Sequence, residues 1–167
     1  MTTTSGTADW VLSGLTLVTA LGAGLSAGVF LAFSSFVMAG LARTPEADGV
    51  RAMQEINRAA PSPVFMLVLF GTGALAVVVA AMGFVRASPT APVLLAAALA
   101  YLVCLGLTLG YHVPRNDALA LLDPGDVSTP ALWREYLRDW TRLNHVRTLS
   151  AAVGCLLLII AHGMQQR

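Results

Sequence analysis

The sequence predicts an all-α protein, an integral membrane four-helix bundle with two short amphipathic helices in its long connectors, forming one domain over residues 1–167. Hydrophobic residues make up 56% of the chain and charged residues only 11%, whereas a soluble domain carries about 25% charged residues. The charges are also clustered, so that Asp, Glu, Lys and Arg are absent from four windows, namely 10–42, 59–85, 87–114 and 148–166. Because a bilayer-spanning helix needs about 20 apolar residues, this pattern excludes a soluble enzyme, a secreted disulfide scaffold and a disordered chain.

The predicted spans cover residues 10–41, 64–85, 91–113 and 143–163. The first would be about 48 Å long, longer than a hydrocarbon core of about 30 Å, so it must tilt or project into water. Within it, Ala20, Gly24 and Gly28 form a stripe of small residues, a pattern that favours close helix packing. The third span is expected to stop or kink at Pro114, because proline lacks a backbone N–H.

The fourth span is the least clearly bounded. Only residues 149–161 are strongly apolar, and these 13 residues are too few to cross a bilayer. The span is therefore expected to begin near Leu143, which draws the polar residues between Asn144 and Thr148 into its first turns.

Each long connector contains an amphipathic pattern. In the first connector, residues 49–60 place Val50, Met53 and Ile56 at three-residue steps, which predicts a short helix ended by Pro61. In the second, Pro130 is placed as at the first turn of a helix. The apolar stripe that follows consists of Leu132, Trp133, Tyr136, Leu137 and Trp140.

The distribution of arginine predicts the orientation in the membrane. Eight arginines lie on the side of the two long connectors, and two, Arg86 and Arg167, lie on the side of the termini. The positive-inside rule then predicts a multi-pass protein of the cell membrane with cytoplasmic connectors and both termini outside. The net charge of +1 gives no basis for binding nucleic acid. The lipid bilayer is the expected surrounding, and a homo-oligomer is left open.

Polar residues are concentrated at the connector ends of the spans. A bundle would bring these ends together around one polar-lined cavity, and polar groups at membrane depth are costly unless they are paired or functional. We therefore expect Asn57, His112 and His145 to converge there. The full set of candidate site residues is Asn57, Arg58, His112, Asn116, Trp133, Trp140, Asn144, His145 and Arg147.

Structural roles for these residues remain open at this point. Asn144 could cap neighbouring carbonyls, the arginines could reach lipid headgroups, and the tryptophans could form an interfacial belt. His112, His145 and Glu55 would make a two-histidine, one-carboxylate iron site, but their spacing is not that of a metal motif. The sequence therefore predicts no metal site, without excluding one. Hydrolase and nucleotide-binding motifs are absent from the sequence.

Several stretches resemble the anthrone oxygenase family of small membrane proteins. The two most specific are Met53-Gln54-Glu55-Ile56-Asn57-Arg58 and the run from Trp140 to Thr148, Trp-Thr-Arg-Leu-Asn-His-Val-Arg-Thr. Pro63-Val64-Phe65-Met66 and Val113-Pro114-Arg115-Asn116 add to the similarity, which extends over roughly residues 25–160. Two positions depart from the expected pattern, since His112 stands where Asn is expected and Gly40 where Pro is expected.

The resemblance implies a four-helix membrane bundle. It also implies an oxygenase activity, because fungal relatives oxidise anthrones to anthraquinones with O2 and no established cofactor. Many bacterial relatives are known only as a domain of unknown function. The departure at His112 touches the expected site, so it puts the substrate preference in doubt.

From these residues and this resemblance we expect an oxygenase that needs no cofactor and uses O2 as co-substrate. His145 is the expected base, with His112 as a second candidate. Asn144, with Asn57 or Arg147, would stabilise the enolate oxygen. Trp133 and Trp140 would stack on the small aromatic substrate, and Arg58 and Asn116 would complete the binding site. The alternative is a non-catalytic membrane subunit, or a protein that binds a quinone or a lipid.

Overall fold

The computed structural model describes the backbone of residues 3–166 and the side chains of residues 10–166. Arg167, which was counted in the orientation argument, lies outside the described residues. Within the described part the chain forms helices and turns and no strands. Four of its helices are long and apolar enough to cross a membrane, at Trp10–Leu41, Pro63–Val85, Ala91–Ala120 and Thr129–Gln165. The chain is therefore built as a multi-pass membrane protein, as predicted.

Helix α1 is continuous but changes its geometry near its end. It consists of Thr3–Ala32, a π-helical turn at Phe33–Val37 and a last α-helical turn at Met38–Leu41. A short turn then leads to α2, Glu46–Ala59. This is the amphipathic helix predicted for the first connector, and its buried face contains Val50 and Met53.

Helix α3 spans Pro63–Val85, and the side chain of Ser62 caps its first turn by accepting a hydrogen bond from the backbone N–H of Phe65. Proline is well suited to the first turn of a helix, where its missing N–H breaks no intrahelical bond. The turn after Val85 contains Ala87, which has a positive φ of 51°. The chain then reverses into the third span.

Helix α4 continues past Pro114, where a stop or kink was expected. It consists of Ala91–Leu107, a π-helical turn at Thr108–His112 and an α-helical segment at Val113–Ala120. At the end of the π turn the N–H of Val113 bonds to the carbonyl of Thr108, five residues back. Pro114 follows a hydrogen-bond ladder that is already shifted from four to five residues, so its missing N–H interrupts no regular α-helical run.

Helix α5 is a single helix, Thr129–Gln165. The second connector helix and the fourth span, predicted as separate elements with the span starting near Leu143, are continuous. No glycine or proline separates them, and the charged residues of the polar segment are good helix formers. At about 1.5 Å per residue α5 is about 55 Å long, so one end must extend beyond the hydrocarbon core.

The four long helices close a ring in which each packs against its neighbours in the chain, and α1 packs against α5. The buried core of this ring is made mostly of alanine, leucine and valine, with Tyr101 and Cys104. A second cluster under α2 contains Met53, Leu119 and Trp133. Of the predicted small-residue stripe, Ala20 is buried and Gly24 lies against Cys155 of α5, but Gly28 has open space beside it. A closer approach is made by Gly22, outside that stripe, which directly abuts Thr72 of α3.

Helices α3 and α4 diverge toward the connector side. Helix α3 packs along Ala91–Leu107, but it makes almost no backbone contact with Thr108–His112 or Val113–Ala120. Helix α2 lies across this end of the bundle and packs against Val113–Ala120 and α5. The divergence leaves a gap between the helices at the connector end, and the candidate site lies in this gap.

Candidate active site

A cavity of about 580 Å³ lies between the diverging helices at the connector end. Its volume is in the range that holds a small organic ligand. Much of its wall is aromatic and apolar, with Phe30, Phe33, Phe65, Met66, Leu69 and Phe70. Asn57 and Arg58 line it from α2, His112 and Asn116 from α4, and Trp140 and Arg147 from α5. Six of the nine candidate residues thus meet at one cavity.

His112 lies in the π turn of α4 and is 1% exposed. Its Nδ1 is 3.0 Å from the carbonyl oxygen of Leu107. Since a carbonyl only accepts, Nδ1 carries the hydrogen, and Nε2 of the neutral ring holds the lone pair. That Nε2 is buried and has no hydrogen-bond partner among the described residues. Leaving a buried polar atom unpaired costs folding free energy, so such atoms are rare. Where one lies at a cavity wall, a functional role explains it.

Asn57 presents a second unpaired group. Its Nδ2 is buried and has no hydrogen-bond partner in the described part of the chain. The residue lines the cavity from α2, whereas His112 lines it from α4. An amide N–H in this state is an unused donor. The cavity therefore offers an unused base on one helix and an unused donor on another.

Arg147 places a positive charge at the same cavity. The residue is 5% exposed, and its guanidinium lies 3.9 Å from the ring centroid of Phe30 and 5.2 Å from that of Trp140. It forms no ion pair with a carboxylate among the described residues. A buried arginine without a counter-ion is unfavourable unless other groups compensate it. An anionic ligand in the cavity would supply the counter-ion that Arg147 lacks.

Asn144 positions Arg147 and does not line the cavity. Its side chain is fully buried, and its Oδ1 accepts hydrogen bonds from Nη2 and Nε of Arg147 at 2.7 and 3.1 Å. Its Nδ2 donates to the carbonyl of Phe30 and to Oγ of Ser34, both at 2.8 Å. Because the amide is fully engaged, Asn144 has no free group for the catalytic role predicted for it, and its contacts are those of a residue that orients Arg147.

The two π turns flank this Asn144–Arg147 pair. Ser34, in the π turn of α1, bonds to Asn144 and also to Oγ1 of Thr148 at 3.0 Å. Thr108 begins the π turn of α4, and its hydroxyl lies 3.5 Å from Nη1 of Arg147. A π turn inside an α-helix is rare and often marks a functional site. Here the two turns carry the polar groups that hold the arginine.

Asn116 joins α4 to the aromatic row of α5. Its Oδ1 accepts hydrogen bonds from the hydroxyl of Tyr136 at 2.8 Å and from Nε1 of Trp140 at 2.9 Å. The ring of Trp140 in turn meets that of His112 edge to face, with centroids 4.9 Å apart. Asn116 thus fixes the ring that covers the histidine.

Trp133 does not take the stacking position predicted for it. It is 1% exposed and stacks on Tyr136 within the cluster under α2, away from the cavity lining. Arg58 lies at the rim of the cavity, with 63% of its side chain exposed, and it forms an ion pair with Glu55. Both residues are therefore peripheral to the cavity.

His145 is placed elsewhere, which overturns the expectation that it converges with Asn57 and His112. It is exposed and lines a different groove, between α1 and α5. Consecutive residues of an α-helix point about 100° apart, so with Asn144 and Arg147 facing inward, His145 faces outward. The same placement separates His145 from His112, the two histidines of the alternative iron site. Within the described side chains no group of three or more His, Cys, Asp or Glu residues could hold a metal ion.

Sequence reasoning missed the phenylalanine walls and the hydrogen bond of Tyr136. Phe30 and Phe65, which meet edge to face at 6.2 Å, are indistinguishable from lipid-facing residues in an apolar window. Tyr136 was assigned to an amphipathic stripe, and its hydroxyl partner lies 20 residues away on another helix. The contact between Asn116 and Trp140 follows only from the packing of the helices.

Comparison with known protein families gives a match over much of the chain. The profile of a family described as anthrone oxygenase matches residues 62–157, which is more than half of the chain. This stretch contains His112, Asn116, Trp140, Asn144 and Arg147, and Asn57 lies just before it. Searches of curated proteins and of solved structures found no significant match.

Proposed function

Since the chain belongs to the anthrone oxygenase family, we propose that it oxidises an anthrone-like polycyclic aromatic with O2. The observation that carries this proposal is the pairing, at one aromatic-walled cavity, of an unbonded imidazole nitrogen with a buried arginine that lacks a counter-ion. The first can accept a proton and the second can stabilise the anion that results. This pairing suits a reaction that begins by removing a proton from carbon.

The proposed chemistry follows from the substrate class. An anthrone has a CH2 group flanked by two rings and conjugated with a carbonyl, so its deprotonation gives a delocalised enolate. Nε2 of His112 takes the proton while Nδ1–H stays bonded to the carbonyl of Leu107. Arg147 and the free Nδ2 of Asn57 stabilise the enolate oxygen. Phe30 and Trp140, which line the cavity, contact the planar ring system.

The oxidation then proceeds from the enolate. The enolate passes one electron to O2, and the resulting radical and superoxide combine to form a carbon–oxygen bond. The peroxide oxygen takes a proton, and loss of water, with the remaining C–H proton, leaves a carbonyl. The CH2 group and O2 thus become C=O and H2O, and the carbon supplies all the electrons. In this proposal O2 is the only co-substrate.

The test compares the two histidines. We expect purified His112→Asn to lose about 10²–10⁴-fold in anthrone-dependent O2 consumption, the usual contribution of a general base. His145→Asn, the matched control on the outer face of α5, keeps the activity of the unchanged protein. Asn is the residue that the family resemblance predicts at position 112, so this variant tests whether the base is particular to this chain.

Two outcomes would contradict the proposal. If His112→Asn oxidises anthrone at the full rate, His112 is not the base. If the unchanged protein binds an anthrone or a quinone but consumes no O2, the alternative of a binding protein or non-catalytic subunit is favoured.

We propose that the connectors face the cytoplasm and both termini lie outside. This orientation rests on the excess of arginine on the connector side. A cysteine placed at the exposed Gly125 is then labelled by an impermeant reagent only after the membrane is opened. If the reagent labels this cysteine in intact cells, the connectors lie outside and the proposed orientation is wrong.

A further inference from the structure

A second groove lies on the outer face of the bundle, between the last turns of α1 and the middle of α5. It has a volume of about 420 Å³, and its wall on α1 is formed by Met38, Ala39 and Ala42. The opposite wall, on α5, is basic. Its basic residues are Arg134, Arg138, Arg142 and His145, spaced by four, four and three residues along one face of the helix.

This basic row is only partly neutralised. Arg134 forms an ion pair with Glu46 at 2.7 Å, and Arg138 pairs with Asp139 at 2.8 Å. Among the described side chains Arg142 forms no ion pair. No carboxylate lines the groove itself. The groove therefore carries a net positive charge and suits an anion.

The groove is continuous with the lipid-facing surface. Ser34 and Thr148, bonded to one another at 3.0 Å, join the two helices beneath it. Deeper into the bundle, Leu31 on α1 is 55% exposed and Leu149 on α5 is 65% exposed. Leu149 follows His145 by four residues, so it lies on the same face one turn deeper. An anion bound among the arginines would thus have apolar surface directly below it.

We infer that this groove binds an anionic phospholipid, with its phosphate among Arg138, Arg142 and His145 and its acyl chains along Leu31 and Leu149. Arginine matches phosphate geometry well, and basic pockets between membrane helices are known to recognise anionic headgroups. A free phosphate would make no use of the leucines, so the apolar continuation favours a lipid. This inference does not depend on the proposed oxygenase activity.

The experiment titrates the full-length protein in non-ionic micelles with phosphatidylglycerol or phosphatidylcholine and counts bound lipids by native mass spectrometry. We expect phosphatidylglycerol to bind at least about fivefold more tightly than phosphatidylcholine, with the preference falling as salt is raised. Arg142→Gln weakens phosphatidylglycerol binding about fivefold, the effect of one arginine near a headgroup. Arg138→Gln combined with Arg142→Gln weakens it further.

Arg51→Gln is the matched control, because Arg51 is an exposed arginine on α2 outside the groove. It leaves lipid binding unchanged if the inference is correct. Equal affinity for the two lipids would overturn the inference, as would an equal loss in Arg51→Gln and Arg142→Gln. Displacement of phosphatidylglycerol by millimolar inorganic phosphate would also overturn it, since the groove would then bind an anion without regard to acyl chains.

Discussion

Arg147 is the residue on which the charge balance of the cavity depends. It is buried against Phe30 and Trp140 and held by Asn144, and no carboxylate pairs with it among the described residues. Folding alone does not require a cation here, because an apolar residue of similar length would pack at least as well. Its retention at this depth fits a role in stabilising a negative charge.

We therefore expect Arg147→Met to separate stability from activity. Loss of the charge removes a desolvation cost but leaves Oδ1 of Asn144 unpaired, so the free energy of unfolding changes by less than about 2 kcal/mol. Anthrone oxidation falls about 10²–10³-fold, as for loss of one oxyanion donor. Thermal unfolding in micelles and O2 consumption measure the two effects. A loss of stability larger than this, with unchanged anthrone oxidation per folded molecule, would assign Arg147 a purely structural role.

Gly22 gives a prediction about packing. A Cβ built at this position would lie 2.0 Å from Oγ1 and 3.2 Å from Cβ of Thr72, whereas Gly28 on the same helix has no neighbour within 4 Å. Threonine is β-branched and stiff, so it cannot easily move away.

We expect Gly22→Ala to destabilise the bundle by about 1–3 kcal/mol through overpacking. Gly28→Ala stabilises it by up to about 1 kcal/mol, because alanine has the higher helix propensity. Thermal unfolding of both variants, with Gly22→Ala/Thr72→Ala as the rescue, checks the assignment. Equal stability of the two single variants would show that α1 and α3 do not approach closely at Gly22.

At the scale of elements, α2 covers the cavity, and its Gln54 side chain attaches it to α4. Nε2 of Gln54 donates hydrogen bonds to the carbonyls of Leu119 and Leu122, each at 3.0 Å. The last carbonyls of a helix have no partner within it, so Gln54 caps the end of α4. Asn57 follows one turn later on α2, and its place at the cavity depends on this attachment.

Gln54→Ala is expected to loosen α2 without unfolding the four spans. Loss of two hydrogen bonds to buried carbonyls costs about 1–3 kcal/mol, which raises local opening of α2. Amide hydrogen exchange in residues 46–59 should accelerate, while exchange in Pro63–Val85 stays unchanged. Glu55→Ala, on the exposed face next to it, is the control. Unchanged exchange in the first variant would mean that apolar packing and the Glu46–Arg134 ion pair hold α2 without Gln54.

The elements also show what the sequence can reveal. Four spans and the amphipathic α2 follow from charge-free windows and periodicity, because those patterns reflect what each helix faces. The continuity of α4 through Pro114 depends on a π turn, and a π turn has no composition of its own. The sequence predicted two helices where α5 is one, because its charged segment interrupts the apolar stretch. The same charged residues do not interrupt the helix.

The candidate site was predicted in part for a similar reason. The connector end could be identified, since polar residues at membrane depth are costly, and six residues meet at the cavity as expected. His145 was assigned to the wrong face because the helical register relative to the bundle axis was fixed by Asn144 and its bonds to α1. That register depends on contacts between distant segments, which spacing along one helix does not specify.

At the scale of the whole molecule, the divergence of α3 and α4 opens the cavity sideways. The cavity reaches the outer surface where Phe70, Leu109 and Val113 are exposed, on the face that meets lipid tails. An apolar aromatic dissolved in the bilayer could enter there without crossing water. On the connector side α2 partly covers the cavity, and the exposed Arg58 and Asp117 form its polar rim there.

A bulky side chain at this opening should slow entry of the substrate. We expect Val113→Trp to lower kcat/KM about tenfold or more for a lipid-soluble anthrone, with a smaller effect on kcat, because the encounter is obstructed. Val78→Trp, on the lipid-facing side of α3, is matched in residue type and exposure and leaves both constants unchanged. Identical constants for the two variants would mean that the substrate arrives from the connector side.

A sideways opening also determines which substrate concentration sets the reaction rate of this protein. The relevant quantity is the mole fraction of substrate among the lipids, and the amount per volume of buffer matters only through partitioning. Adding inert lipid at fixed total substrate would then slow the reaction by surface dilution. Adding buffer to a strongly partitioning substrate would leave the rate per protein nearly unchanged.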